Sequence, residues 1–378
     1  MKIAMVVPGG VDASGTDRVI PALLWLVERL AKLHEVHVFA MRQQPAPATW
    51  TLLGATVHNI GTEGAHRRRL FRTFGDEHRA APFDVVHAMF ANPWASAIGW
   101  RHRVPVVLHL GGGELVAFAD IGYGDGCTWR RRASRRMAIA GAARVTVATA
   151  YMQELAKDHG IATELVPLGV ALDQWPTLAP RNRDPRHPAR LLHIGDLRPV
   201  KDQRTLLEAA WLLAARGIPF ELDVAGVDTM AGVLQSLPAA AMIADRTRWH
   251  GFLGRTSLRS LAEQADLLIV TSRHEAGPLA VLEAAVAGVP TVGTAVGHVA
   301  DWAPDAAFAV PVGDADALAR AIELLLRDEP RRIALAETAQ RRAICADADA
   351  TAAAFESIYA TLQRPVIRRA SVRTEIVT

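Results

Sequence analysis

The sequence predicts an α/β protein made of two parallel, doubly wound sheets. Three observations carry this. Short β-branched runs alternate with stretches of helical apolar spacing along most of the chain, the pattern of a parallel sheet covered by helices. The alternation stops at "PTLAPRNRDPRHPAR", Pro176 to Arg190, which is rich in proline and charge, lacks periodicity and reads as an interdomain linker. It then restarts, and 378 residues suffice for two cores of ordinary size.

In chain order, a first strand from Lys2 to Val7 leads through "PGGVDASGTDR" into an apolar helix that ends near Leu33, with Pro21 suited to its start. "EVHVFA", from Glu35, alternates as a strand, and further strands are expected at Phe83–Met89, Val104–Leu110 and Arg144–Ala148. Past the linker come strand "ARLLHIG", a helix over Gln203–Arg216, strands "FELDVAG" and "TRWHG", and a helix over Thr256–Gln264. A helix begins near Asp314 and a last one covers about Ala350–Leu362. The pairs Asp314/Asp316 and Asp347/Asp349 precede these apolar runs and read as helix caps, not as metal ligands.

Composition bounds the function. Half of the residues are hydrophobic and 21% charged, a globular balance. No run of eighteen apolar residues lacks charge, so no membrane span is expected, and "MKIAMVVPGG" is too short for a signal peptide; a cytoplasmic location is the expectation. Two distant cysteines, Cys127 and Cys345, suggest neither a disulfide framework nor a zinc site.

The stretch "LLIVTSRHEAGPLAVLEAAVAGVPTVGTAVG", Leu267 to Gly297, reads as strand, loop, helix, strand. Glu275 falls just past the strand's carboxyl end, where open α/β sheets bind ligands. Gly277 admits close backbone approach and Pro278 suits a helix start. The N–H groups near Leu279 and Ala280 form an anion site, and Glu283 projects from the second turn. A diphosphate on those N–H groups, with hydroxyls held by a carboxylate on either side, describes a sugar nucleotide. Considered without further context, Glu275 and Glu283 read equally as a structural loop acid and a solvated helix residue.

"HEAGPLAVLEAAVAGVPTVGTAVG" resembles the acidic signature of the retaining, nucleotide-sugar-dependent glycosyltransferases of family four, at Glu275, Glu283, Gly288, Pro290, Thr294 and Gly297. Two positions depart: Gly277 stands where an aromatic is common, and His298 where a second glycine is usual. The resemblance implies a GT-B fold, two Rossmann-like domains facing across a cleft, divided at 1–178 and 179–349. It also implies a terminal helix, 350–363, returning to the first domain, followed by a tail at 364–378.

The same resemblance assigns roles. "GDLRPVKDQRTLLEAA" matches the family's phosphate-binding element and implies donor contacts by Lys201 and Arg198, although Asp196 stands where an arginine is usual. Glu275, with Ala276, Gly277, Pro278 and Leu279, would hold the transferred sugar and diphosphate, and Glu283 the ribose. "WHGFLGR", with Gly251, resembles the segment that cradles the base. In the first half, Gly10 and Gly15 lie in a βα loop implied to face the cleft, Gly10 on the acceptor side and Gly15 on the donor side. His109, ahead of "LGGGE", matches a family histidine close to the donor sugar; Glu114 is implied to contact acceptor. Glu275, His109 and Lys201 are thus the expected catalytic groups.

The reaction so implied moves a sugar from UDP or GDP to a hydroxyl acceptor, a glycan, lipid-linked or small molecule, with no cofactor and no metal. A nucleotide-sugar epimerase or a silent sugar-nucleotide binder on the same fold is the alternative; a nicotinamide enzyme is disfavoured because G-x-G-x-x-G is absent. Two basic clusters, "HRRRLFR" at His66–Arg72 and "WRRRASRR" at Trp129–Arg136, read as solvated helix faces or as contact with an anionic membrane at the inner face. No nucleic-acid module accompanies them.

Overall fold

The computed structural model describes residues 1–363, so the expected tail at 364–378 lies outside the described residues. Two sheets organise the chain. The first has eight strands: β1 Lys2–Val7, β2 Glu35–Ala40, β3 Ala48–Leu52, β4 Ala55–Asn59, β5 Val85–Met89, β6 Val106–Leu110, β7 Arg144–Val147 and β8 Glu164–Leu165. The second has six: β9 Ala189–Ile194, β10 Phe220–Ala225, β11 Thr247–Gly251, β12 Leu267–Val270, β13 Thr291–Thr294 and β14 Ala307–Val310. Every pairing is parallel except β3 with β4, a hairpin edge that sequence periodicity did not predict. Ala189 and Arg190, where the linker reading and the strand "ARLLHIG" overlap, open β9 and pair with β10 as that strand predicts, so the irregular segment ends at Pro188.

The strand orders are β3-β4-β2-β1-β5-β6-β7-β8 and β11-β10-β9-β12-β13-β14. Chain order therefore reverses between β1 and β5 in the first sheet and between β9 and β12 in the second. At such switch points the loops diverge and leave a crevice at the carboxyl ends of the strands, where ligands bind. The strands are continuous apolar runs because helices cover both faces: β1, β5, β6 and β12 are buried at every residue.

Helices form where the apolar period and the caps agree. Pro21 opens Pro21–Leu33. Asp314 and Asp347 each accept the backbone N–H three residues on, at 2.8 Å, so both Asp-x-Asp pairs start helices. The last helix, Ala348–Leu362, packs Phe355, Ile358 and Tyr359 into the core beneath β1, with Tyr359 Oη 2.6 Å from His87 Nδ1.

Candidate functional site

The second sheet's switch point builds the site. β9 runs into Gly195 and a short turn, Pro199–Lys201; β12 runs into Thr271–Pro278, ahead of the helix Leu279–Val286. Lys201 Nζ lies 2.6 Å from Glu275 Oε1, and Ser272 Oγ donates to the same oxygen at 2.5 Å. Thr271 Oγ1 donates to the Lys201 carbonyl and Thr294 Oγ1 to the Ser272 carbonyl, so β12 and β13 fix both loops. The pair is partly open to solvent, with 26% of the Lys201 side chain and 13% of Glu275 exposed.

Glu283 sits below, on the Leu279–Val286 helix, 5% exposed. Burial alone raises its carboxyl pKa to about 8, with no hydrogen bond or cation opposing the shift. Pro278 precedes the first helical residue rather than occupying it, and no side chain caps this N-terminus, so the N–H groups of Leu279 and Ala280 have no intrahelical acceptor. At the neighbouring strand ends, Gly195, Gly226 and Gly251 bring backbones together: a Cβ on Gly226 would lie 2.0 Å from the Gly195 carbonyl oxygen, and Gly226 N–H donates to the Gly251 carbonyl. Asp196, the departure from the family's arginine, accepts from Val227 N–H at 3.1 Å and ties the β9 loop to the β10 loop. Arg198 does not join Lys201 and Glu275; it faces a cleft of about 460 Å³ lined also by Arg273, Met230 and, from the other domain, Ile121.

The first domain closes over this loop. Thr149 Oγ1 donates to the Ala276 carbonyl at 2.7 Å, and His274 Nε2 donates to the Gly112 carbonyl at 3.0 Å. Asp301 accepts from Ala150 and Tyr151 N–H at 2.7 and 2.8 Å, a carboxylate on a helix N-terminus across the domain boundary. A Cβ on Gly277 would lie 3.0 Å from Ala148 Cβ and 3.5 Å from His298 Nε2. The two departures from the family pattern thus meet in space: the ring of His298 stands beside a Gly277 that has no side chain. Burial holds His298 down at about 4.

Two residues expected at the site in the first domain lie inside it. His109 is wholly buried inside β6, with Nδ1 2.9 Å from Thr146 Oγ1 and Nε2 without a partner, and burial lowers its pKa to about 4. Both faces of β6 are covered, so its ring stays in the core although the glycine turn begins two residues later. Glu114 is 3% exposed and accepts from Gly112 N–H at 2.7 Å and Ala91 N–H at 3.3 Å, which braces the glycine turn. Gly10 and Gly15 both adopt positive φ, +85° and +67°, in the loop after β1. The Gly10 N–H is already bound to Gln43 Oε1 at 2.7 Å, and a Cβ there would strike Ile20.

Sequence reasoning missed His274, Tyr123 and Tyr151, which crowd around Glu275. Tyr123 is pushed up to about 12, chiefly by burial and then by the carboxylates of Glu275 and Glu114. Tyr151 Oη stands 3.3 Å from His274 Nδ1. Both tyrosines lie where periodicity gives no sign, in a run of single turns and at a helix start. Immediate adjacency to Glu275 was the available clue for His274.

Comparison with known proteins decides the family. The family described as "Glycosyltransferase Family 4" matches residues 23–174, and "Glycosyl transferases group 1" matches 177–342. The chain belongs to glycosyltransferase family 4. This transferase is 26% identical to glycogen synthase of Mycobacterium tuberculosis over 87% of its own length and 81% of that protein's. It is 35% identical to D-inositol 3-phosphate glycosyltransferase of Salinispora tropica over 40% of its own length and 33% of that protein's. Its fold is that of sucrose-phosphate synthase from Thermosynechococcus elongatus (TM-score 0.77, 18% identity, 96% and 99% of the chains covered) and of Anabaena HepE in complex with UDP and glucose (TM-score 0.71, 16% identity, 96% and 100%). The two sheets are therefore the halves of a GT-B enzyme, and the transferase moves a hexosyl group from a nucleotide sugar, with the retaining course of its family. No comparison favours the epimerase or silent-binder alternative.

Proposed function

We propose that Glu275 and Lys201 are the reacting pair of this transferase, with Glu283 as the ribose anchor. The observation that carries the reading is the 2.6 Å contact between Lys201 Nζ and Glu275 Oε1 at the switch point between β9 and β12. Donor binding replaces that contact: Lys201 turns to the diphosphate, joined by Arg198 and by the N–H groups of Leu279 and Ala280, and these take the leaving-group charge. Glu275 then receives sugar hydroxyls and steadies positive charge at the anomeric carbon. The bond from that carbon to the diphosphate oxygen breaks while the bond to the acceptor oxygen forms on the same face. The acceptor's proton passes to the departing diphosphate, so no separate base and no metal is needed.

Gly15, Gly251, Ala276, Gly277 and Pro278 serve through backbone approach. His109 and Glu114 support the cleft-facing glycine turn from inside. The donor is a UDP- or GDP-sugar, and the acceptor is bound by the 1–178 domain, with 179–349 holding the donor and the helix at 350–363 belonging to the first. Work at the inner face of a membrane is consistent with the basic clusters. Among the described residues, no helix is long and apolar enough to cross a membrane. A thermal-shift screen with UDP, GDP and ADP tests the reading first: one diphosphate raises Tm in the wild type and raises it less in Glu283→Gln. A flat response to all three would remove it.

A further inference from the structure

We propose that the first domain carries, beside the sugar site, a binding groove for a phosphate group attached to an apolar portion, and that this is the acceptor's chemistry. The inference rests on the reading that this domain holds the acceptor. A groove of about 800 Å³ opens past the carboxyl ends of β1, β2, β4 and β5, at the first sheet's own switch point.

The two basic clusters, sixty residues apart in sequence, meet there. Arg67 comes from the first, Arg130 from the second, and Arg42 from the end of β2; among the described residues no aspartate or glutamate lines the groove. Four other arginines of the clusters hold backbone: Arg69 donates to the Ile60 carbonyl, Arg131 to those of Gly122 and Gly124 at 3.5 Å, Arg132 to that of Gly126 at 2.8 Å and Arg135 to that of Glu114 at 2.7 Å. The clusters therefore supply both residues that hold backbone and residues that face the groove. Those that face it stand on aromatic rings, Arg67 4.5 Å from the Trp94 centroid and Arg130 5.5 Å from that of Trp129. Trp129 is 68% exposed and Met137, also in the lining, 60%.

Guanidinium groups suit phosphate oxygens, and exposed indole and thioether surface suits hydrocarbon. A neutral glycan has no charge for the guanidinium groups to meet. The groove also leads to the reaction. Phe90, held at φ +65°, lines it and lies 3.4 Å from the place of a Gly112 Cβ; the Gly112 carbonyl accepts from His274, the neighbour of Glu275. A phosphate in the groove thus sets a nearby hydroxyl toward the sugar site.

The test is calorimetric titration with octyl phosphate and with octyl glucoside, both below micelle-forming concentration, into the wild type and Arg67→Gln/Arg130→Gln. The expected result is at least about tenfold tighter binding of octyl phosphate than of octyl glucoside, and a loss of about tenfold or more in the double variant. Trp129→Ala should weaken octyl phosphate and leave inorganic phosphate unchanged. Affinity for the nucleoside diphosphate found in the screen above should stay within about twofold in all variants, which also shows that they fold. Equal binding of the two octyl compounds, unchanged binding in the double variant, or equal affinity for glucose 6-phosphate would overturn the proposal. So would binding confined to anionic phosphatidylglycerol vesicles, which would assign the arginines to a membrane surface. Octyl phosphate binding without any nucleotide binding would spare the groove and sink the donor-site reading.

Discussion

At the scale of single residues, the two glutamates of the signature sit in opposite electrostatic surroundings. Glu275 has a cation 2.6 Å away; Glu283 has none and is pushed to about 8 by burial. Glu275→Gln is expected to lower kcat by about a hundredfold or more while nucleotide affinity changes little, since the lost interaction belongs to the transition state. Unaltered kcat would remove Glu275 from the chemistry. For Glu283, an ionised carboxylate that grips ribose hydroxyls must first be deprotonated. Nucleotide affinity should then rise as pH climbs toward 8 and level off above it, a dependence absent in Glu283→Gln. In the free enzyme the sign for stability is opposite. The raised folded pKa means that the folded state holds a proton that the unfolded chain has released between pH 4.5 and 8, so stability is lost as pH rises through that window. Glu283→Gln should accordingly raise Tm at pH 8 while weakening nucleotide binding, a split that differential scanning calorimetry and titration can read together.

At the scale of elements, the loop between β12 and its helix is held from both domains, and its composition answers to that. Gly277 replaces the usual aromatic because Ala148 and His298 occupy the space a side chain would need. Gly277→Phe alone should destabilise by about 1–3 kcal/mol through overpacking. Adding His298→Gly should recover part of that loss, a coupling that a double-mutant cycle measures; strict additivity would deny that the two departures compensate. This pairing could not be read in the sequence, where the two positions are merely two exceptions twenty-one residues apart. His109 is a lesson of the opposite kind. The resemblance sets it beside a glycine turn, yet helices cover both faces of β6 and its ring lies wholly in the core.

At the scale of the whole molecule, the last helix ties the end of the chain to its beginning. Phe355 is fully buried in the core that contains Ile3 and Met5. Phe355→Ala should cost about 3–5 kcal/mol, destabilising the first domain although the residue follows the second in sequence. Acid sensitivity is also a property of the whole. His58, His109, His193 and His298 are held down at about 4 and His87 at about 3, in each case chiefly by burial. Unfolded histidines would take up protons from pH 6.5 downward while these five remain neutral, so stability present above pH 6.5 is lost as pH falls toward 4. Glu283 opposes this between 4.5 and 8, and Glu114, Asp125 and Asp301, whose carboxyls burial also raises, act in the same sense, but the five histidines outnumber them on the acid side. Tm should peak near pH 6.5 and fall steeply below it; a level profile from pH 6.5 to 4.5 would contradict the burial of the rings.

Most strands of the two sheets, the restart of the βα pattern after the linker, and the Glu275–Glu283 loop were legible in the sequence. They depend on local periodicity and on residues close together in the chain. The β3–β4 hairpin was not predicted, because the apolar–polar alternation of β3 runs over only five residues that stay mostly exposed. Nor was the meeting of Lys201 with Glu275, of His298 with Gly277, or of two distant arginine clusters in one groove. Those contacts join residues that neighbour one another only after two sheets have twisted and closed, and no local pattern encodes a distance that long-range packing sets.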